Sequence, residues 1–229
     1  HGPAGTADIE ATGPLTLQAR PGGDYTANID GTLQSKSGAL VVRGGGNSVF
    51  ALEGNALGKT VKVDIGGVRI GASAALSSQE DLDLDASRLS LAVRGTGSNA
   101  STGRILGATS RTGKVTLDIT QAFTNDGLLF SGNDLEINAP SITNSAATGG
   151  IAALNNLTIK ANAGWLDLSA ASPSAGAGNL DNLGSLYAGG TLAATANGTL
   201  LNRGTINAGS KIDLKAHTLV NNTETNGDG

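Results

Sequence analysis

The sequence contains no cysteine and no methionine, and aromatic residues make up only 3% of its 229 positions. The absence of cysteine excludes a disulfide framework, a thiolate nucleophile and a cysteine-based zinc site. Every apolar run is shorter than the roughly 20 residues of a membrane span, so no membrane-spanning helix is predicted. With so few large side chains, an ordered core has to be thin and regular.

Charge is scarce as well, because charged residues account for 15% of the chain and the net charge is −4. Disordered chains combine low hydrophobicity with high net charge, whereas 38% of this sequence is hydrophobic, so an ordered core is expected. An acidic balance argues against nucleic acid as a partner. The chain starts at His1 and has no signal segment, so we expect a processed product or an interior piece of a longer protein.

Glycine is abundant, with 35 residues, and the second half of the sequence repeats itself. The repeat reads N-x-G-x-[LI]-x-[AS]-G-x-x-[LI]-x-[LIA]-x-A, and its opening asparagines are Asn125, Asn144, Asn182, Asn202 and Asn221. The intervals are 19, 38, 20 and 19 residues, and we interpret the interval of 38 as two units, one of them interrupted by "SAATGG". Such a constant period predicts a solenoid in which each turn buries its neighbours.

Each unit ends in an alternating segment: "DLEINA", "NLTIKA", "TLAATA" and "KIDLKA". Alternation with period two predicts strands with one buried face. The fold class is therefore predicted to be all-β, a right-handed parallel β-helix with rungs of about 19–20 residues, about eleven rungs and about 50 Å long. The inward ladders are expected to consist of Leu135, Ile137, Ala139, Leu157, Ile159, Ala161, Leu192, Ala194, Ala196, Ile212, Leu214 and Ala216.

The asparagines and glycines of the repeat are expected at the corners, where tight turns need positive φ and a side-chain amide can bond to the turn above. Three regions are predicted. They are 1–122, rungs with irregular corners and insertions; 123–222, regular repeat rungs; and 223–229, a polar tail. The stretch "ASPSAGAGN", residues 171–179, is expected to form a loop that leaves the shaft.

The repeat frame resembles the short repeats of filamentous haemagglutinins, the large exoproteins that Gram-negative bacteria secrete by the two-partner route. The resemblance is good over 123–222 and loose over 1–122. It implies a β-helical shaft, export through an outer-membrane transporter as an unfolded chain, and a secreted or cell-surface location. The family's secretion domain carries an N-P-N-[LG] motif that this sequence lacks, so an interior shaft segment is expected. The expected protein is a monomer without cofactor or metal.

Basic residues of the first half are the strongest candidates for a binding site. If rungs stack, outward Arg and Lys side chains from successive turns align into a stripe that would bind a sulfated, heparin-like host glycan by charge. The candidates are Arg43, Lys59, Lys62, Arg69, Arg88, Arg94, Arg104 and Arg111.

The alternative function is a β-helical polysaccharide-active enzyme, either a lyase or a hydrolase. Asp81, Asp83 and Asp85 share the outward face of one strand and could act as a carboxylate pair, although a solvated strand face explains them as well. His217 is the only internal histidine, and Trp165, the only tryptophan, could stack on a sugar. Because aromatic residues are so few and scattered, we predict an adhesin segment and no enzyme.

Overall fold

A computed structural model describes residues 8–18, 23–91, 93–94, 101–145, 149–161 and 178–222. In this part of the chain every regular element is a strand. The predicted tail, Trp165 and all of the predicted loop except its last two residues lie outside the described residues.

The 24 described strands are numbered in chain order. They are β1 (Ile9–Ala11), β2 (Leu15–Gln18), β3 (Thr26–Ile29), β4 (Thr32–Ser35), β5 (Ala39–Arg43), β6 (Val49–Leu52), β7 (Asn55–Gly58), β8 (Thr60–Ile70), β9 (Ala75–Ser78), β10 (Leu82–Leu91), β11 (Val93–Arg94), β12 (Ser101–Thr102), β13 (Arg104–Gly107), β14 (Lys114–Asn125), β15 (Leu128–Ser131), β16 (Asp134–Ala139), β17 (Ser141–Asn144), β18 (Gly150–Ala153), β19 (Leu157–Ala161), β20 (Asn179–Asn182), β21 (Ser185–Ala188), β22 (Thr191–Asn202), β23 (Thr205–Ala208) and β24 (Lys211–Asn221).

The strands form a parallel β-helix with three faces, which confirms the predicted fold class. Face A is a nine-stranded sheet in the order β1-β4-β7-β9-β13-β15-β18-β21-β23. The other 13 paired strands form one sheet that bends round a corner. Face B comprises β2, β5, β16, β19 and the first halves of β8, β10, β14, β22 and β24; face C comprises β3, β6, β17, β20 and the second halves of those five long strands. A two-stranded antiparallel pair, β11–β12, belongs to neither sheet.

Alternation along each strand decides which side chains enter the core. In β16 and β19, Leu135 pairs with Leu157 and Ile137 with Ile159, and all four are at most 1% exposed. The same columns continue to Leu192 and Ala194 in β22 and end at Ile212 and Leu214 in β24. The third column holds Ala139, Ala161, Ala196 and Ala216. Apolar residues therefore stack on apolar residues, at the roughly 4.8 Å spacing of neighbouring strands.

The number of turns is smaller than the sequence period predicted. Nine strands of face A correspond to about eight turns rather than eleven, because several turns are longer than 20 residues. Leu186 pairs with Ile206 after 20 residues, but Leu76 pairs with Ile105 after 29 and Ile151 with Leu186 after 35. At about 4.8 Å for each turn the stack is about 40 Å long.

The interval of 38 residues between Asn144 and Asn182 is one turn, and the interpretation as two units was wrong. β17 pairs directly with β20, so that Ser141 lies beside Asn179 and Asn144 beside Asn182. β18 and β19 complete the turn that β20 closes. The additional residues fall mainly in 162–177, outside the described part, and the strand register is kept on both sides of them.

Glycines at the corners are required by the close approach of neighbouring turns and not by positive φ. Among the described glycines only Gly113 and Gly178 have positive φ. A Cβ on Gly204 would lie 2.0 Å from the carbonyl oxygen of Gly184, the equivalent glycine of the turn below. The expectation of left-handed corners was therefore wrong for these repeat positions; a side chain here would force the turns apart.

Replacing Ile159 by Ala should lower the free energy of unfolding by about 2–4 kcal/mol, because the fully buried side chain leaves a cavity between two turns. Urea unfolding followed by circular dichroism measures this. Thr158→Ala, one residue away on the outer surface, is the matched control and should change stability by less than about 0.5 kcal/mol. Equal effects of the two substitutions would mean that the inward face is assigned wrongly.

Candidate functional site

A ladder of asparagine side chains runs along the inside of one corner of the stack. The Nδ2 atom of each residue donates to the Oδ1 atom of the next, over distances of 2.8, 2.7, 2.7 and 2.7 Å. The members are Asn125, Asn144, Asn182, Asn202 and Asn221. The first three are fully buried, so these bonds satisfy amides that would otherwise be costly in the core.

Each amide also bonds to the backbone. Asn144 Nδ2 donates to the carbonyl oxygen of Ser185 at 3.2 Å, and Asn125 Nδ2 donates to that of Gly150 at 3.1 Å. Both acceptors begin a face A strand in the next turn. The ladder thus joins the end of face C to the start of face A in neighbouring turns, and fixes their register.

Ion pairs on the outer surface also connect neighbouring turns. On face B, Lys62 lies 3.3 Å from Asp83, and Glu136 accepts bonds from both Lys114 and Lys160, the latter at 2.6 Å. The bonds from Lys114 and then Lys160 lower the pKa of Glu136 to about 2, against the opposing effect of burial. These ion pairs connect neighbouring strands, and each lysine contacts a carboxylate of opposite charge.

Three aspartates form a column of like charge on face B. Asp64 pairs with Asp85, and Asp85 with Asp118, in three successive turns. Burial, and then the charges of Asp64, Asp118 and Asp83, raise the pKa of Asp85, while Lys62 opposes them. At the far end Asn138 Nδ2 donates to Asp118 Oδ1 at 2.6 Å. Within the described residues no group of three or more acidic, histidine or cysteine side chains is arranged to bind a metal ion.

The comparison with known families agrees with this architecture. A sequence model of the haemagglutinin repeat matches residues 11–127, 110–164 and 152–228, which together cover nearly the whole chain. The chain belongs to the haemagglutinin-repeat family. Neither the search of curated proteins nor the search of solved structures found a match. In the described part of this haemagglutinin-repeat segment, no helix is long and apolar enough to cross a membrane.

Seven of the eight basic candidates have described side chains, and these are distributed over the three faces and the corners of the haemagglutinin-repeat stack. Arg43 and Lys62 are diagonal neighbours on face B, and Arg69 and Arg88 are diagonal neighbours on face C. Arg104 begins β13 on face A. Two further members, Lys59 and Arg111, lie at corners, and the side chain of Arg94 is outside the described residues. The structure brings together two pairs, each on its own face.

Several of these cations already have partners. Lys59 lies 3.2 Å from Glu80, Lys62 is paired with Asp83, and Arg88 Nε donates to Gln121 Oε1 at 2.6 Å. A glycan sulfate would have to compete with these contacts, so the heparin-binding stripe stays a prediction.

The candidate catalytic residues take structural positions. Asp81 Oδ1 accepts a bond from the backbone nitrogen of Lys114 at 2.9 Å, Asp83 is held by Lys62, and Asp85 belongs to the aspartate column. His217 lies in β24, about five turns or roughly 24 Å along the axis from Asp85. The structure therefore does not bring His217 together with the carboxylates of β10.

A shallow groove of about 350 Å³ lies on the outer surface of face B. Its lining includes Lys114, Glu136, Thr158, Thr191 and Ala193. Glu136 is already bonded to Lys114, and Asp134 Oδ1 accepts from Asn156 Nδ2 at 3.1 Å. The groove is a gap between paired side chains and contains no unsatisfied reactive group.

Neither the asparagine ladder bonds nor the aspartate column can be located by local motif searching, since their members are 19 to 38 residues apart. For the ladder, however, the recurrence of asparagine at the start of each repeat was enough to predict side-chain bonds between turns. The aspartate column has no such signal, because its register depends on the insertions between strands.

Substituting Asn144 by Ala should lower the free energy of unfolding by about 2–4 kcal/mol, because Asn182 Oδ1 loses its donor in the core and Asn125 Nδ2 keeps only its bond to Gly150. Denaturant unfolding of the purified chain provides the value. Asn221→Ala, at the exposed end of the same ladder, is the control and should cost under about 1 kcal/mol. If the ladder did not stabilise the fold, Asn144→Ala and Asn221→Ala would lower the free energy of unfolding by the same small amount.

Glu136→Gln and Asp85→Asn should have opposite effects at neutral pH. The pKa of Glu136 is lowered from 4.5, so its contribution to stability is complete above 4.5 and is lost as the pH falls towards about 2. Because the pKa of Asp85 is raised above 3.8, its contribution is complete below 3.8 and is lost as the pH rises through the raised value.

Melting temperatures across this pH range provide the measurement. At neutral pH, Glu136→Gln should melt lower than the parent chain and Asp85→Asn higher; near pH 2 the Glu136 variant should match the parent. Destabilisation of the Asp85 variant at neutral pH would contradict the repulsive column.

Proposed function

We propose that this segment is part of the shaft of a secreted or surface-exposed bacterial adhesin and that it extends the molecule by its length. One observation carries the proposal: parallel pairing continues through every described turn of face A without a change of direction. A stack of this kind has no closed end, so each added turn lengthens it by about 4.8 Å.

The outer surface supports a structural role. Cross-turn ion pairs use lysines and carboxylates that an enzyme would need free. Asp83 of β10 is engaged in this way, and Asp81 accepts a bond from the backbone of Lys114. These contacts favour a shaft over a polysaccharide-active enzyme, the alternative.

For export, we propose passage through an outer-membrane transporter of the two-partner type. The absence of cysteine supports this, because no disulfide can form before threading. Folding outside the cell would then proceed turn by turn, since each turn needs only its neighbour as a template.

Deleting residues 41–61 tests the modular shaft. The deletion joins Leu40 to Lys62, and Lys62 is the register partner of Val41, so one complete turn is removed. We expect a folded chain about 5 Å shorter, measured as the maximum dimension in small-angle X-ray scattering. Bacteria that display the parent protein with this deletion should adhere as before.

The control deletion, residues 41–50, removes about half a turn, breaks the register and should unfold the neighbouring strands. Loss of adhesion by the full-turn variant, with folding and surface display intact, would contradict a spacer role for this turn.

A further inference from the structure

Face A differs chemically from the rest of the surface. Its nine strands contain only two charged residues among those described, Glu10 at the first strand and Arg104. The strands of face B contain thirteen: Arg43, Lys62, Asp64, Asp83, Asp85, Lys114, Asp118, Asp134, Glu136, Lys160, Lys211, Asp213 and Lys215. Faces A and B enclose the same core. The difference in their number of charged residues therefore concerns only the outward side chains and is not required for packing.

The outward aromatic side chains of the described chain are both on face A. Phe50 and Phe123 are buried in the core, and Tyr25 packs against it and donates its hydroxyl to the carbonyl oxygen of Arg43 at 2.9 Å. Phe130 and Tyr187 point outward from β15 and β21 in the same column. Tyr187 is 39% exposed, and its hydroxyl has no hydrogen-bond partner among the described residues.

The turn between these two aromatic rings carries only small outward residues. β18 contributes Ala152 to the same column and Gly150 to the next, so the turn between the rings has almost no side chain. The rings are two turns apart, about 10 Å. Leu106 extends the column on the side of Phe130, and Asn207 follows Tyr187 on the other. We call the residues Leu106, Phe130, Ala152 and Tyr187 the aromatic trough.

The column of face A beside the aromatic trough begins with Arg104 and Leu128, next to Leu106 and Phe130, and is otherwise uncharged. Ser185 and Thr205 occupy the neighbouring column, and Asn207 closes the end. An apolar stripe with uncharged donors and acceptors at its edge matches a sugar ring, which has apolar C–H faces and hydroxyl groups around its rim. Arg104 is the only cation in the described strands of face A, so the trough offers a sulfated or carboxylated chain little attraction by charge.

We propose that the aromatic trough binds a neutral glycan that lies along the axis of the stack. One sugar ring sits over Ala152, with the rings of Phe130 and Tyr187 against its neighbours. The hydroxyls of Tyr187 and Ser185 are placed to bond to the rim. The inference goes beyond the spacer role, which stands whether or not the trough binds.

A second copy of the chain fits this face less well. Nine strands about 4.8 Å apart and about 13 Å wide present roughly 500 Å² of face A, less than the roughly 800 Å² that each partner buries in a standard interface. A sugar chain needs only the few turns that carry the trough.

Affinity electrophoresis in gels that contain a neutral β-glucan, a galactan or a mannan tests the proposal, with heparin in a parallel gel. At least one neutral polysaccharide should retard the parent chain. The double variant Phe130→Ser, Tyr187→Ser should lose about tenfold in affinity while its melting temperature changes little, because both side chains lie outside the core. The matched control is Arg69→Ser, Arg88→Ser on face C, which should bind the neutral polysaccharide as the parent does.

Three results would overturn the proposal. The first is no retardation by any neutral polysaccharide. The second is retardation by heparin alone that the arginine variant loses, which would locate binding at the basic pair. The third is a dimer in sedimentation velocity that the aromatic variant converts to monomer, which would make face A a self-association surface. None of these results affects the one-turn deletion, so the spacer role is judged separately.

Discussion

The structure depends on a single constraint, the parallel register between one turn and the next. Inward side chains lie over side chains of the neighbouring turn, and the strands of the two large sheets make their ladder bonds to strands of other turns. Asn144 and Asn182 show how strictly this holds, since their amides meet at 2.7 Å although 38 residues separate them. A single turn has too little apolar surface to fold alone, so the register also supplies the stability.

The register explains why small residues suffice for this core. Columns such as Ala139, Ala161 and Ala196 bury little surface each, but stacked in register they form a continuous narrow interior. The corner glycines follow from the same spacing, because turns about 4.8 Å apart leave no room for a Cβ beside the carbonyl of the turn below. Charges can then be confined to the outside, where cross-turn pairs such as Lys160 and Glu136 tighten the stack and where face A is left neutral.

Much of the fold could be predicted from the sequence, because period-two alternation determines which side chains enter the core and the recurring asparagine marks one corner. Two features could not. The turn that contains residues 162–177 has the length of two units, and length alone cannot distinguish an additional turn from an insertion at a corner. The second feature is which outward side chains share a column. Phe130 and Tyr187 are brought into one column only by the strand pairing of β15, β18 and β21. The basic residues show the opposite case, since five of the eight cations that were expected in one stripe lie on three different faces and two lie at corners.

The most direct test of the register is a disulfide between Thr143→Cys and Asp181→Cys in the chain, which has no cysteine of its own. These positions pair directly in β17 and β20, and strands about 4.8 Å apart satisfy the Cα separation of a disulfide. The register described above predicts rapid intramolecular cross-linking under mild oxidation. It also predicts none for Thr124→Cys with Asp181→Cys, which lie two turns apart. Failure of the first pair to cross-link in the folded chain, or cross-linking of the second, would contradict the stack.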